Sequence, residues 1–390
     1  MRALFFNEGN LDTHVFGHGR LDDAVRAGRA GTHGLDVRFA QLTPLAGRAD
    51  ALARKRIRLL RKADLDFVVL RWHLVQSLRA RRALRAELAR EPADVVHLYT
   101  PAVALAMADV MRTTPVVLST GATIRDWWAM PAWRRTVPFA EATIAPSRLL
   151  ERRALRGAAL VLARTGWACR ATEQEAPGVR VLVHHPGIDL ERFRPAPRRE
   201  RERPRVLFVG SRFKEKGGED LLAALDDLLG VELDLDVVTP APVSERAGLR
   251  VHHLIREDPR LLDLQQQADV ACLPTYGDTN PWTITESLAC GTPMVSTRIG
   301  GIPEMLAGGE AGVLVDHGDR RALREAILAL VRDADARRRL GDAARAHAER
   351  HYDARTQLTT LAGHLREAVA LHRAASGATP ARPAAGSVRA

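Results

Sequence analysis

Short apolar runs alternate along the chain with longer stretches in which apolar residues recur at helical spacing. Each run has the length of a strand that is buried on both faces. Eleven such runs lie at 2–6, 36–42, 93–99, 115–120, 159–164, 205–210, 233–239, 250–254, 268–274, 292–297 and 311–315. Because strands separated by helices form parallel sheets through right-handed crossovers, the two halves predict an α/β protein with two doubly wound domains.

The join between the two series is expected within 186–204, where four prolines and a run of charges exclude a core element. This divides the chain into an N-terminal domain, 1–185, and a C-terminal domain, 186–350. Apolar residues at helical spacing predict a last helix at 351–374. The tail, 375–390, is small and polar, and we expect it to be disordered.

The composition indicates the class of protein and its cellular compartment. The chain has 390 residues, of which 46% are hydrophobic and 27% charged, as in folded proteins with more than one core. Its three cysteines lie far apart in the sequence, which favours a reducing, cytoplasmic compartment. No apolar run reaches the 18 residues of a membrane span, and the first residues predict a strand and not a signal peptide.

The formal net charge is +11, and the excess is concentrated at 54–90, with twelve Lys or Arg against three Asp or Glu. Such a face attracts phosphates, nucleic acid or an anionic membrane. A solvated helix surface explains the same charges without a partner. We expect no nucleic-acid partner, and peripheral contact with the inner face of the membrane stays open.

A glycine-rich turn follows the first strand of the second half. Gly217 and Gly218 come directly before a predicted helix, and Arg212 and Lys216 precede them. Glycine lets a backbone approach a ligand closely, and a helix N-terminus attracts phosphate. A basic turn without a ligand is the alternative.

Two carboxylates flank a second helix start. Asn280 is expected to cap this helix, with Pro281 at its first position, and Glu286 follows one to two turns along. Asp278 stays in the turn before the helix. A nucleotide sugar, with its ribose, diphosphate and hexose, matches two hydroxyl-binding acids around a phosphate-binding helix end. Alternatively, Asp278 only supports the turn and Glu286 pairs with an arginine.

Three segments carry a resemblance to a known family: HHPGIDLERFRP at 184–195, FVGSRFKEKGG at 208–218 and PTYGDTNPWTITESLACGTPMVSTRIGGIPEM at 274–305. Together they resemble the retaining glycosyltransferases of family 4, which have two Rossmann-like domains in the GT-B arrangement. The resemblance is tight over 180–320 and loose over the rest of the chain. It implies that the two Rossmann-like domains face a cleft and that the last helix crosses back to the N-terminal domain.

The resemblance implies transfer of a hexose-type sugar from a UDP- or GDP-linked donor, with retention and without a metal or other cofactor. The acceptor would be a small molecule, a glycan or a lipid-linked molecule. Arg212 and Lys216 would hold the diphosphate, Glu286 the ribose and Asp278 the sugar, so Asp278, Arg212 and Lys216 are the catalytic candidates. The family has Glu at position 278. The implied donor-binding residues are Gly9, Gly210, Arg212, Lys216, Gly217, Asp278, Thr279, Asn280, Pro281, Trp282, Thr283 and Glu286.

The N-terminal half is expected to bind the acceptor. Gly121 stands where many members of the family have a histidine, so the catalytic base is not identified. The segment 125–135 has three tryptophans between arginines, Trp127, Trp128 and Trp133. It predicts a sugar platform, a membrane contact or a domain-packing surface. The acceptor-side candidates are His14, His18, His97, Thr123, Arg125 and Asp126.

Several of these candidates have plainer explanations. His14 and His18 share a helical spacing but have no third metal ligand. His97 is expected to end a strand at the cleft edge and is equally compatible with packing. Two other functions also stay open: a nucleotide-sugar epimerase on the same fold, and an impaired protein that only binds nucleotide sugars. Gly121 and Asp278 favour the second of these.

Overall fold

The computed structural model of the chain describes residues 1–8, 33–43, 45, 47–55, 57, 67–134, 139–255 and 258–377. Three candidate residues, Gly9, His14 and His18, lie outside the described residues, and so does the tail from 378 onward.

The N-terminal domain is built on a parallel sheet of six strands in the order β2-β1-β3-β4-β5-β6. The strands are β1 (Arg2–Glu8), β2 (Asp36–Leu42), β3 (Val95–Leu98), β4 (Val116–Thr120), β5 (Leu160–Ala163) and β6 (Val181–Val183). The described helices of this half are α1 (Gly47–Arg54), α2 (Val68–Arg90), α3 (Ala108–Thr113), α4 (Ile124–Ala129), α5 (Ala140–Gly157) and α6 (Gly166–Glu175), with a 3-10 turn at Pro101–Val103.

A second parallel sheet of six strands, in the order β12-β11-β10-β7-β8-β9, forms the C-terminal domain. The strands are β7 (Arg205–Val209), β8 (Asp234–Val238), β9 (Leu249–His252), β10 (Val270–Leu273), β11 (Met294–Thr297) and β12 (Val313–Val315). The described helices are α7 (Gly218–Leu225), α8 (Pro259–Gln267), α9 (Trp282–Ala289), α10 (Ile302–Met305), α11 (Arg320–Arg332), α12 (Ala334–His351) and α13 (Ala354–Ala375), with 3-10 turns at Asp226–Leu228 and Ala307–Gly309.

The predicted fold class is confirmed: two doubly wound domains follow one another, and all eleven expected strands are present. The twelfth strand, β6, was not predicted, because it has only three residues at the sheet edge and none of them is buried. As expected, the join at 186–204 forms no helix or strand, yet two of its side chains reach a core. Ile188 and Phe193, at 1% and 3% exposure, pack into the C-terminal core, since the irregular backbone lets isolated apolar side chains turn inward.

The last helix, α13, follows α12 after a short break at Tyr352 and packs against the N-terminal sheet. Its buried face consists of Leu361, Leu365, Ala368 and Val369. These residues cover the side chains of Ala3, Phe5, Val95, Val117, Leu160 and Leu162, on one face of β1, β3, β4 and β5. The end of the chain therefore completes the core of its first domain.

The basic stretch that includes α2 is partly neutralised by the protein itself. Arg81 and Arg85 pair with Asp109, and Arg90 pairs with Glu87. Across the described ranges, no helix combines the length and the hydrophobicity that a bilayer span requires.

Candidate active site

The turn between β7 and α7 is shaped by glycine. Gly217 has φ of 78°, in the left-handed region, and a β-carbon there would lie 2.0 Å from the carbonyl oxygen of Pro274. A β-carbon on Gly210 would lie 2.9 Å from the ring of Phe208. Because Gly217 has no side chain, the N-terminus of α7 can rest directly against the end of β10. The sequence-based placement of this helix start is confirmed.

The predicted phosphate ligand and the predicted sugar ligand meet in this crevice. Lys216 Nζ donates to Oδ2 of Asp278, although 62 residues separate them. The amide of Thr279 donates to Oδ1 of Asp278 at 2.8 Å. Only 21% of the Lys216 side chain and 14% of the Asp278 side chain are exposed. The pair lies where β7 and β10 end, at the edge of the sheet that faces the N-terminal domain.

The start of α9 differs from the sequence-based expectation. The helix begins at Trp282, and Pro281 is its N-cap residue, with ψ of 128°. An extended Pro281 moves Asn280 out of reach of the first helical amides, so no side chain caps the helix. The Asn280 amide instead donates to Sδ of Met305 at 3.3 Å. The Thr283 hydroxyl donates to the carbonyl of Val209 at 3.4 Å and ties α9 to β7.

Glu286 lies deeper than the other candidates, with 5% exposure in the middle of α9. Gln265 of α8 donates to Oε2 of Glu286 at 2.5 Å. This contact fixes one carboxylate oxygen on the side of α9 that packs on α8. The assignment of Glu286 to a nucleotide ribose stays a prediction.

The N-terminal domain contributes the end of β4 to the same crevice. A β-carbon on Gly121 would lie 2.8 Å from Oγ1 of Thr279 and 3.2 Å from Nη1 of Arg164. The Arg164 guanidinium lies 3.9 Å from the centre of the Tyr99 ring and donates to the Tyr99 carbonyl at 2.8 Å. In this arrangement of the domains, a side chain at position 121 would have to displace the Thr279 hydroxyl and the Arg164 guanidinium.

Glu304 joins the domains, a role that the sequence did not reveal. Its carboxylate accepts from the amides of Gly166 at 2.5 Å and Trp167 at 3.0 Å, the first residues of α6. A carboxylate at a helix N-terminus satisfies unpaired amides and the positive end of the helix dipole. The available signal was an acid three residues after the Gly300–Gly301 pair, at the end of the segment that resembles the family.

The tryptophan-rich segment after α4 also reaches the C-terminal domain. The rings of Trp127 and Trp133 stack with centres 5.5 Å apart and planes inclined by 16°. The guanidinium of Arg212 lies over the Trp133 ring, 4.6 Å from its centre. The amide of Ala132 donates to the carbonyl of Tyr276 at 3.0 Å. Of the three predicted roles, domain packing describes Trp133, while Trp127 is 40% exposed.

The acceptor-side candidates of α4 contact one another. Thr123 caps the helix by accepting from the amide of Asp126 at 3.3 Å, and its hydroxyl donates to the carboxylate of Asp126. Arg125 donates to Asp126 at 3.3 Å and to Gln174 at 3.0 Å. The acceptor role of these residues stays a prediction.

His97 is packed within β3 and is not presented at the cleft edge where the sequence placed it. It is 3% exposed. Its Nε2 lies 2.8 Å from the Ser119 hydroxyl, and its ring contacts Phe5 edge-on. The sheet side chains on both neighbouring strands cover the ring.

A buried carboxyl contacts the first residue of α4. Both oxygens of Glu151 accept from the amide of Ile124, at 3.1 and 3.0 Å. Burial raises the pKa of Glu151 to about 8, and the nearby carboxylate of Glu175 acts in the same direction. Glu175 has a fully buried side chain and pairs with Arg148 and Arg152. No sequence signal marked this network, because its members are brought together only by the packing of α5 on α6.

Within the described ranges, no group of three or more His, Cys, Asp or Glu side chains is arranged to hold a metal ion.

Comparison with known proteins identifies the family and supports the fold. The model of the family described as glycosyl transferases group 1 matches residues 189–347. A D-inositol 3-phosphate glycosyltransferase from Kribbella flavida is 30% identical over 329 residues, which are 73% of this chain and 74% of the relative. The corresponding protein of Corynebacterium jeikeium is 31% identical over 204 residues, 45% of this chain. The chain spans about half the length of that relative, 49%.

Solved structures share the fold at low identity. The sucrose-phosphate synthase from Thermosynechococcus elongatus superimposes with a TM-score of 0.73 at 17% identity, over 95% of this chain and 100% of that one. Anabaena HepE, solved in complex with UDP-glucose, gives a TM-score of 0.64 at 16% identity, over 93% of this chain and 99% of that one.

Proposed function

Because the chain belongs to the glycosyl transferases group 1 family, we propose that it transfers a hexose-type sugar from a nucleoside-diphosphate donor to an acceptor. The observation that carries this proposal is the meeting of Lys216 and Asp278 at the N-terminus of α7, in the crevice between the domains. A cation for the diphosphate and a carboxylate for the sugar are thus adjacent, as transfer at the sugar–phosphate bond requires.

The chemistry asks for stabilisation of the leaving group. When the bond between sugar and diphosphate breaks, negative charge grows on the diphosphate oxygens. Arg212, Lys216 and the N-terminal amides of α7 supply fixed positive potential, and a preorganised site does this without the cost of reorienting solvent. In the donor complex we expect the diphosphate to take over Lys216 from Asp278, which then accepts from a sugar hydroxyl. These cations support transfer without a metal or other cofactor.

The finer assignments rest on the same crevice. We propose a UDP- or GDP-linked donor whose ribose binds Glu286 of α9, on the side of the diphosphate opposite the sugar. The relative named for inositol phosphate and the neighbour solved with UDP-glucose support a nucleotide sugar and a polar acceptor. Retention follows if the acceptor attacks from the face that the diphosphate leaves. The acceptor is a small molecule, a glycan or a lipid-linked molecule, and the proposed location is cytoplasmic, with peripheral membrane contact for a lipid-linked acceptor.

A screen with radiolabelled UDP-, GDP- and ADP-sugars tests the proposal. Slow hydrolysis or transfer of the label supports a glycosyltransferase, and formation of an epimer indicates an epimerase. Binding without turnover indicates an impaired binding protein, and failure to bind any nucleotide contradicts all three. The Arg212→Ala, Lys216→Ala double variant is the control, because it should lose turnover while its thermal unfolding stays close to that of the wild type.

A further inference from the structure

An aromatic residue of the N-terminal domain covers a cation of the donor site. The Trp133 ring lies under the guanidinium of Arg212 at 4.6 Å, and Trp127 stacks on Trp133 at 5.5 Å. A guanidinium over an indole face is held by attraction to the ring quadrupole and keeps its N–H groups free to point sideways, toward an anion. Arg212 is otherwise an exposed side chain on the turn after β7.

The indole N–H of Trp133 is buried and finds no hydrogen-bond acceptor among the described residues. It lies against Gly277, since a β-carbon there would be 2.8 Å from Nε1. Buried donors without a partner are rare and costly, so each one calls for an explanation. Asp278, the proposed sugar ligand, is the next residue along this turn.

The segment around Trp133 is fitted to that turn and not merely near it. The amide of Ala132 donates to the carbonyl of Tyr276 at 3.0 Å, and a β-carbon on Gly277 would lie 2.7 Å from that of Ala132. The Tyr276 hydroxyl in turn donates to Asp220 of α7 at 2.5 Å. Trp133 is therefore held between the two groups that the donor must contact, Arg212 and the Gly277–Asp278 turn.

We propose that Trp133 is a specificity-determining residue of the donor site, supplied by the opposite domain. Its ring positions the Arg212 guanidinium for the diphosphate, and its indole N–H donates to a hydroxyl oxygen of the transferred sugar. The inference rests on the proposed function and adds a residue from the N-terminal domain to the donor pocket. The alternative is that Trp133 only packs the domains together.

Two substitutions separate the ring from its N–H. Trp133→Phe keeps an aromatic face under Arg212 and removes the donor, while Trp133→Ala removes both. Binding is measured by calorimetry with UDP-glucose or GDP-mannose, whichever the wild type binds more tightly, and with the matching free nucleotide. Trp127→Phe is the matched control, because it removes an indole N–H from the same stack without touching Arg212.

For Trp133→Phe we expect free-nucleotide affinity within twofold of the wild type and sugar-nucleotide affinity lower by about three- to tenfold. For Trp133→Ala we also expect the free nucleotide to bind about two- to fivefold more weakly. A Phe variant that binds both ligands like the wild type, or weakens both equally, overturns the inference, as does an equal effect of Trp127→Phe. If the wild type binds neither nucleotide, the proposed function itself fails, which is a distinct result.

Discussion

Lys216 and Asp278 neutralise each other in a site that we propose receives a charged diphosphate. This residue-scale arrangement changes what the carboxylate does before the donor arrives. One oxygen of Asp278 pairs with Lys216, the cation that we propose binds the diphosphate. The other oxygen of Asp278 accepts from the amide of Thr279. The donor must therefore replace one partner of Lys216 by another, and the transferred sugar must give Asp278 a new one.

Asp278→Asn should separate these two effects. The neutral amide releases Lys216, so we expect the free nucleoside diphosphate to bind equally well or up to roughly fivefold more tightly, the range of a partly exposed ion pair. Use of the intact nucleotide sugar should fall, because an acceptor-only group becomes half donor. Calorimetry with the nucleotide and turnover with the sugar measure both, and Asp278→Glu should retain sugar use. A marked loss of free-nucleotide affinity in the Asn variant would make Asp278 a structural turn residue.

Glu286→Ala should weaken nucleotide binding by roughly 1.5–3 kcal/mol, because two ribose hydroxyls lose a charged acceptor. It also leaves the buried amide of Gln265 without its partner, so some loss of stability is expected. Gln265→Ala is the control: it breaks the same contact and should leave nucleotide affinity nearly unchanged. Equal nucleotide affinity in wild type and Glu286→Ala would remove Glu286 from the site.

At the scale of elements, apolar runs predicted strand positions well because buried parallel strands are apolar on both faces. The turn of Gly217 was also predictable, since glycine before a helix marks a close backbone approach. The start of α9 was misjudged by one residue because sequence does not reveal the ψ angle of Pro281. Glu151 and Glu304 were not assigned, because their partners come from other elements.

The network below α4 predicts a pH dependence of stability. Burial raises the pKa of Glu151 from 4.5 to about 8 in the folded protein. A carboxyl with a raised pKa stabilises fully below its unfolded pKa, and this contribution is lost as the pH rises toward 8. Glu151→Gln keeps an acceptor for the amide of Ile124 and cannot ionise. We expect its unfolding free energy to vary less between pH 5 and 8 than that of the wild type.

Urea unfolding at several pH values measures this difference, with Glu173→Gln, an exposed substitution on α6, as the control. If the wild type and Glu151→Gln follow the same slope, the carboxyl is not the source of the pH dependence.

Two histidines in contact, one directly after β6 and one on α13, predict that the free energy of unfolding decreases as the pH falls. Burial and the neighbouring His364 lower the pKa of His184 to about 3, and burial lowers the pKa of His364. Their rings meet edge-on at 5.7 Å. A base with a lowered pKa stabilises above its unfolded pKa near 6.5, and this contribution is lost as the pH falls.

His184→Phe keeps the ring contact and cannot take up a proton. Between pH 6.5 and 5.5 we expect the wild type to lose about 1 kcal/mol more than this variant, measured by urea unfolding. If the wild type and His184→Phe lose the same unfolding free energy over this range, His184 does not change its protonation on unfolding.

At the scale of the whole molecule, three contacts join the domains around the crevice in addition to the packing of Trp133 on Arg212. Glu304 holds the first amides of α6, Ala132 donates to Tyr276, and Gly121 lies against Thr279. All three involve segments that also carry donor-site candidates. Donor binding and the relative position of the domains are therefore expected to be coupled, as in enzymes that close to exclude water.

Glu304→Ala should shift the molecule toward a more open form, because the start of α6 loses its acceptor across the interface. We expect a larger radius of gyration by X-ray scattering without ligand, and recovery of the compact value with a hydrolysis-resistant donor. Glu310→Ala, an exposed substitution on the same domain, is the control. Identical scattering for Glu304→Ala and the wild type would show that this contact does not hold the domains.

The position of α13 has a consequence for synthesis on the ribosome. The face of the first sheet that includes Phe5, Val117 and Leu162 is covered by Leu365 and its neighbours, which are translated about 200 residues or more later. The nascent N-terminal domain must therefore emerge with an apolar surface that stays uncovered until α13 has been translated and packs against it. A translating chain stalled before α13 should accordingly recruit chaperones that bind exposed apolar surface, and release them once that helix has docked.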